Sequence, residues 1–333
     1  MTLQQLLQNP DYKQKFVLEK LIQEYLWYTR EEMRLRLEDP ITENVAQKIH
    51  VAYQDYMVHK KPLEYILWHV DFFWVPFHVN EHTLIPRPET EYMITAVSEH
   101  LTPLTKGGST KEAGSSNQDT LLDIGTGCGV LGISVLLQNP EYFHEAYFSD
   151  ISPSALEVAQ QNYKNLIPNS ESYHTHFLQS NLASFLPTIS SLSGEGDREA
   201  VEGLSTKNLV LIANLPYIPD ETFDNNALEN VQKREPRLAF VGGHDGLDLY
   251  REMFNQLAPL MKGGEGGSKC KHKGWNNLTM FLEMMTRQVD ILRQEFWERL
   301  EFQEVKTFHF NIRIVKARTK APKKSESTKN ISD

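Results

Sequence analysis

Thr120-Leu-Leu-Asp-Ile-Gly-Thr-Gly-Cys-Gly-Val-Leu-Gly132 decides the fold. A short apolar run enters three glycines at alternate positions, and a helical pattern continues to Gln138. Glycine opens backbone conformations closed to other residues and lets a ligand approach the main chain. The helix that follows adds unpaired N–H groups at its start. A strand, a glycine turn and a helix in this order predict a nucleotide-type pocket at the edge of a parallel sheet.

The pattern repeats outward. Glu145-Ala-Tyr-Phe-Ser-Asp150 reads as a second strand, and Ser152-Pro153 as the cap and first position of a helix. Residues 173–178, 208–213 and 278–283 read as further strands, with helices near 247–260 and 286–299. Such alternation predicts an α/β fold with a mostly parallel, doubly wound sheet.

Upstream, the texture differs. All 18 glycines of the 333 residues lie at position 107 or later. Leu18, Leu21, Ile22, Tyr25 and Leu26, then Val45, Ile49, Ala52, Tyr53 and Tyr56, each share one helix face. A small all-α N-terminal domain is expected over 1–70. An aromatic β-hairpin linker is expected over 71–88, with Asn80-Glu-His as its interruption. The catalytic domain is then expected over 89–318. Lys106–Asp119, Ser190–Lys207 and Lys262–Asn276 read as surface insertions.

Charge narrows the partners. The net charge is −10, whereas Lys316–Asp333 holds six basic and two acidic residues, leaving −14 for the remainder. Residues 319–333 are expected to form a disordered basic tail. An acidic body argues against a phosphate-backbone partner, with the tail the one candidate for a weak nucleic-acid contact. Two distant cysteines, Cys128 and Cys270, fit a reducing compartment. No apolar run approaches the ~18 residues of a membrane span, so a cytoplasmic protein is expected.

Gly127-Cys-Gly-Val-Leu-Gly132 also matches the dinucleotide fingerprint, and Asp150 follows it by 18 residues. A nicotinamide cofactor is therefore one alternative, and a purely structural turn another. Asp123 weighs against a pyrophosphate, because it would set a carboxylate beside the phosphates. S-adenosylmethionine carries a sulfonium and an ammonium and tolerates an acid there. Asp150 would then accept bonds from its ribose hydroxyls.

Asn214-Leu-Pro-Tyr217 directly follows an apolar strand, on the same predicted sheet edge. A conjugated –NH2 is a poor nucleophile because its lone pair is delocalised. Asn214 Oδ1 and the Leu215 carbonyl can accept its two hydrogens, orienting the nitrogen and stabilising the charge that develops on it. Tyr217 can cover the flat group and offer a π-face.

Together, Asp123-Ile-Gly-Thr-Gly-Cys-Gly129, Asp150 and Asn214-Leu-Pro-Tyr217 resemble the class I S-adenosylmethionine-dependent methyltransferases, a Rossmann-like group. Within it, Thr83-Leu-Ile-Pro-Arg-Pro-Glu-Thr-Glu91 and the segment Arg234–Leu247 are similar to the HemK/PrmC family. The resemblance implies methyl transfer to the Gly-Gly-Gln glutamine of peptide chain release factors, with the N-terminal domain helping to engage them. It implies cofactor contacts from Gly125, Thr126, Gly127, Cys128, Gly129, Asp150, Asn181, Leu182 and Asn214, with Asp123 beneath. It places the glutamine amide on Asn214, Leu215, Pro216 and Tyr217, with Asn214 and Tyr217 catalytic.

Two positions depart from the family pattern. Leu215 replaces a proline, though its carbonyl remains, and Asn181 replaces an aspartate, which predicts weaker cofactor binding. The alternatives are an adenine-N6 DNA/RNA methyltransferase and a ribosomal-protein glutamine methyltransferase. His174-Thr-His176 and Cys270-Lys-His272 read as packed or solvated side chains, so no metal is expected.

Overall fold

The computed structural model describes residues 1–101, 119–168, 173–186, 209–226, 234–261, 278–307 and 312–320. Residues 106–118, 190–207 and 262–276 (with Cys270 and His272) and the end of the chain from 321 lie outside the described residues.

Five helices open the chain: α1 Leu3–Gln8, α2 Lys15–Leu26, α3 Arg30–Leu35, α4 Glu43–Met57 and α5 Leu63–Leu67. Thr2 with Gln5 and Thr29 with Glu32 form capping boxes, satisfying N–H groups that a helix start leaves unpaired. The stripe on α2 packs on that of α4: Leu18, Leu21, Ile22, Ile49, Ala52 and Tyr53 share one buried cluster. The absence of glycine has a cost. Trp27, Lys60, Trp68, Phe73 and Trp74 all take positive φ, a conformation that costs an L-residue about 1–2 kcal/mol.

Strands β1 His69–Phe72 and β2 Val75–His78 pair antiparallel, with Phe72 opposite Val75. The hairpin therefore turns at Phe73-Trp74 and not at Asn80-Glu-His. A two-residue turn with both φ positive usually carries Asn-Gly; here two aromatics hold it, so the usual signal was missing. Thr83–Pro86, within the expected hairpin linker, is an irregular segment.

The second part consists of α6 Glu91–Leu101, β3 Asp119–Ile124, α7 Val130–Gln138, β4 Phe143–Asp150, α8 Pro153–Leu166, β5 His174–Gln179 and β6 Leu209–Ala213. They are followed by α9 Asp220–Asn226, α10 Asp248–Met261, β7 Leu278–Met285, α11 Thr286–Glu295, β8 Leu300–Thr307 and β9 Ile312–Thr319. The sheet runs β5-β4-β3-β6-β7-β9-β8, parallel from β5 to β7. Both faces are covered, which is why β6 is apolar throughout. Leu122, Ile124 and Leu211 face one cluster; Leu121, Val210 and Ile212 face the other.

The chain winds outward from β3 through β5 and then returns to place β6 on the other side of β3. That reversal opens a crevice outside the carboxyl ends of β3 and β6, where α/β sheets bind ligands. Beyond β7 the sheet turns antiparallel, with β9 inserted between β7 and β8. Thr319, expected to open the tail, is the last residue of β9, and Lys316 and Arg318 lie on that strand. The burial of Ile314, Val315 and Ala317 offsets their neighbours' charge.

Candidate active site

The β3–β6 crevice holds a cavity of about 310 Å³. Its wall brings together Gly125–Cys128, Asp150, Asn181, Leu182 and Asn214–Pro216. These segments are far apart in sequence yet converge on one sheet edge. Gly125 and Leu215 touch: a Cβ on Gly125 would lie 2.9 Å from Leu215 Cδ2, and its φ of +71° is itself a glycine conformation.

Three expected residues stand outside this wall. Gly129 caps α7 and packs on α8. Asp123 is buried behind the loop, its Oδ2 accepting from Thr126 Oγ1 at 2.6 Å and Gly132 N at 3.0 Å. Tyr217 sends its hydroxyl away, to Glu283 Oε1 at 2.9 Å.

The chemistry fits the implied methyl donor. Burial pushes the Asp123 carboxyl up to about 7, although Thr126 and Gly132 pull it down. Its Oδ1 is buried without a hydrogen-bond partner. An acceptor left unmet at the base of a glycine loop suits an ammonium group, not a phosphate. Asp150 lines the same cavity and accepts from Gly127 N and Ser152 N, each at 2.9 Å. Burial raises its carboxyl as well. Asn181 donates from Nδ2 to Glu252 Oε1 at 2.6 Å, so its Oδ1 is free to accept. Burial pushes the Cys128 thiol up to about 12, making it an unreactive wall residue.

The family-like segments join around this cavity. Glu235, buried, accepts from Arg87 Nη2 at 2.8 Å and Ile85 N at 3.1 Å. Tyr65 of α5 donates to the Thr83 carbonyl at 2.6 Å, tying the helical part to the same segment. Asn162 bridges His78 of the hairpin to the Cys128 carbonyl.

Sequence reasoning missed the support under Asn214. Glu283, buried near the end of β7, accepts from Thr90 Oγ1 at 2.8 Å and from Tyr217 Oη. Gln288 donates to the carbonyls of Tyr217 at 2.7 Å and Asp245 at 3.0 Å. Tyr250 donates to the Glu283 carbonyl and accepts from Leu215 N at 3.2 Å. A signal existed: Glu283 is the one charge in the run Leu278–Met285, and a lone acid in a buried strand marks a special site.

His174 is exposed and His176 stacks on Tyr147 at 4.5 Å, as packed or solvated residues do. Among the described residues no group of three ligand-type side chains could hold a metal. Nor is any helix there long and apolar enough to cross a membrane.

The methyltransferase small domain family matches residues 111–188. A protein of Bacillus anthracis named release factor glutamine methyltransferase is 32% identical over 60% of this chain and 60% of its own. One of that name from Moorella thermoacetica is 32% identical over 71% of this chain and 70% of its own. In Enterococcus faecalis the figures are 30%, 72% and 69%. The chain thus spans about 60% of the Bacillus protein's length. Among solved structures, the catalytic domain of hMettl16 with a MAT2A 3'UTR hairpin matches at TM-score 0.47 and 11% identity, over 94% of this chain and 93% of that one. Ribosomal protein L11 methylase from Lactobacillus delbrueckii subsp. bulgaricus matches at TM-score 0.37 and 12% identity, over 70% and 81%.

Proposed function

This chain belongs to the release factor glutamine methyltransferase family, and from that membership we propose that it methylates the side-chain amide of a protein glutamine. The methyl donor is S-adenosylmethionine, and the substrate is the Gly-Gly-Gln glutamine of a cytoplasmic peptide chain release factor. One observation carries the reading. Asn214 and Leu215 share the cavity wall with the glycine loop and Asp150, so an amide acceptor pair and a nucleoside site open into one space.

The donor supplies an electrophilic methyl on a sulfonium. Gly125–Cys128 and Leu182 would shape its seat, Asp150 would take the ribose hydroxyls, and the Asp123 carboxylate, behind the loop, would favour the ammonium from outside the cavity wall. Asn214 Oδ1 and the Leu215 carbonyl accept the two hydrogens of the glutamine –NH2. Both are fixed dipoles, so they meet the rising positive charge on nitrogen without reorganising. The nitrogen must come within ~3–3.5 Å of the methyl, in line with sulfur. With the donor bound, the N–C bond would form as the C–S pair returned to sulfur, and the nitrogen, held by Asn214 Oδ1 and the Leu215 carbonyl, would then release one proton to water.

The helices of residues 3–67 are the proposed contact for the factor. Phe16, Trp27, Leu35, Val51 and Val58 are exposed there and offer apolar side chains for a protein partner. The acidic body favours a protein substrate over a nucleic acid.

The test uses labelled S-adenosylmethionine with a release factor and a copy whose Gly-Gly-Gln glutamine is replaced. Label in the intact factor alone is the expected result. No label, or equal label in both, overturns the assignment.

A further inference from the structure

Glu283 is a buried carboxylate for which the transfer just described has no use, yet it lies directly behind the loop that performs it. It is 2% exposed, and no cation pairs with it among the described residues. Its partners are neutral donors: Thr90 Oγ1 at 2.8 Å, Tyr217 Oη at 2.9 Å, and the Asn214 side chain. Burying an acid without a countercharge costs free energy, so its retention here points to a task.

The task follows from proton counting. Thr90 and Tyr217 have one hydroxyl hydrogen each, and both are given to Glu283. Thr90 Oγ1 can then only accept from Asn214, which it does from Nδ2 at 3.2 Å. An ionised carboxylate is an acceptor alone. Everything behind Asn214 therefore demands its –NH2, and Oδ1 is left for the cavity. The two ends of an Asn amide are nearly isosteric, so packing cannot make that choice. Charge can.

We propose that Glu283 is a positioning residue of the transfer: through Thr90, Tyr217 and Asn214 it locks the Asn214 amide with Oδ1 turned to the substrate. The proposal rests on the methyl-transfer reading of the Asn214 loop and adds to it the group that sets the loop's polarity. Donation into the carboxylate also polarises the Asn214 amide, making Oδ1 a better acceptor as the substrate nitrogen turns cationic. The hydroxyl of Tyr217, held by the same carboxylate, fixes the other end of the loop.

Protonating Glu283 would undo the lock. Its carboxyl could then donate, Thr90 could turn its hydrogen to Asn214 Oδ1, and the flipped amide would present –NH2 to –NH2. Burial raises this carboxyl above its ordinary range, the three donors oppose that, and the charge of Glu89 adds to it. The groups facing it are Glu89 from the turn before α6, Tyr217 and Asn214 from the loop, and Thr90, while Tyr250 from α10 donates to the backbone carbonyl of the same residue. Turnover should therefore have an acid limb in which one proton switches the enzyme off.

The test measures kcat against pH at saturating donor and release factor, for the parent, Glu283→Gln and Thr90→Val. Donor affinity is measured beside it by calorimetry. Glu283→Gln should lose about 100-fold in kcat, the scale of one preorganised dipole, and lose the acid limb, with donor affinity within about twofold. Thr90→Val removes a donor to the carboxylate, so its acid limb should move to higher pH. A Glu283→Gln enzyme within twofold of the parent, or one that keeps the limb, overturns the proposal. If that variant fails to melt cooperatively, an unmoved limb in Thr90→Val overturns it instead. A parent that methylates no release factor overturns the underlying reading along with it, whereas an active parent with indifferent variants overturns this inference alone.

Discussion

The loop after β3 and the loop after β6 each rest on a buried carboxylate, but they are built differently. Asp123 is held by neighbours three and nine residues along the chain, Thr126 and Gly132. Glu283 is held by partners 66 and 193 residues away, Tyr217 and Thr90. Asp123 keeps one oxygen unmet, whereas the carboxylate oxygens of Glu283 both accept. The first loop closes on its carboxylate through near neighbours, leans on Ser149 and Asp150 of β4, and leaves one acceptor unmet, which suits a ligand that brings its own donors. The second is a loop of fixed polarity, braced from behind, suited to orienting a group that must react.

That contrast breaks most sharply at Asn214. Asn214→Ala removes the side-chain acceptor from the second loop and leaves the first intact. We expect kcat to fall about 10²- to 10³-fold, as when one preorganised dipole is removed, with donor affinity nearly unchanged by calorimetry. Parallel losses in both quantities would mean that the two loops do not divide the work.

Asp123 offers the complementary test. Its carboxyl sits at about 7, above its unfolded value of 3.8. A raised carboxyl stabilises the free protein below the unfolded value, and that contribution is lost as pH rises through 7. An ammonium placed beside Oδ1 favours the charged form. Binding the donor at pH 6 should therefore release a proton, and donor affinity should decline as pH falls through 7. Calorimetry in buffers of different ionisation enthalpy reads both. Asp123→Asn should abolish the release and weaken binding about 10-fold, the scale of one charge-assisted bond. Unchanged proton release would remove Asp123 from the ligand's environment.

The same difference governs what the sequence could reveal. Asp123, Thr126 and Gly132 are bonded within a dozen residues, so their spacing carries that part of the geometry, while Gly125 and Gly127 are tied to Ser149 and Asp150 of β4. The Ser152 cap with Pro153 was legible for the same reason. The turn at Phe73-Trp74 was not, because its positive φ values fall on residues that seldom accept them. The brace of Thr90, Glu283 and Gln288 was hidden for another reason. It exists only once β7 lies beside β6 and the segment before α6 folds over both. Position β9 between β7 and β8 is likewise a matter of sheet closure and not of local pattern.

The smallest expected effect lies where the two loops' logic meets, at the far wall of the cavity. Read in sequence, Asn181 is a weakened acceptor, and restoring an acid there should tighten donor binding. Its surroundings reverse that expectation. Asn181 Nδ2 donates to Glu252 Oε1 at 2.6 Å, and Gln256 Nε2 donates to the same oxygen at 3.2 Å. Glu252 thus gives Asn181 the charge assistance that an aspartate would carry itself, and it selects Oδ1 for the cavity as Glu283 does for Asn214. Asn181→Asp would set two carboxylates against each other. The gain from a charged acceptor and the loss from repulsion are each below about 1 kcal/mol at a solvated site, so affinity should change less than threefold. Adding Glu252→Gln to that variant removes the repulsion and should leave the gain. A single Asn181→Asp variant that tightens binding 10-fold would show that Glu252 does not orient this amide.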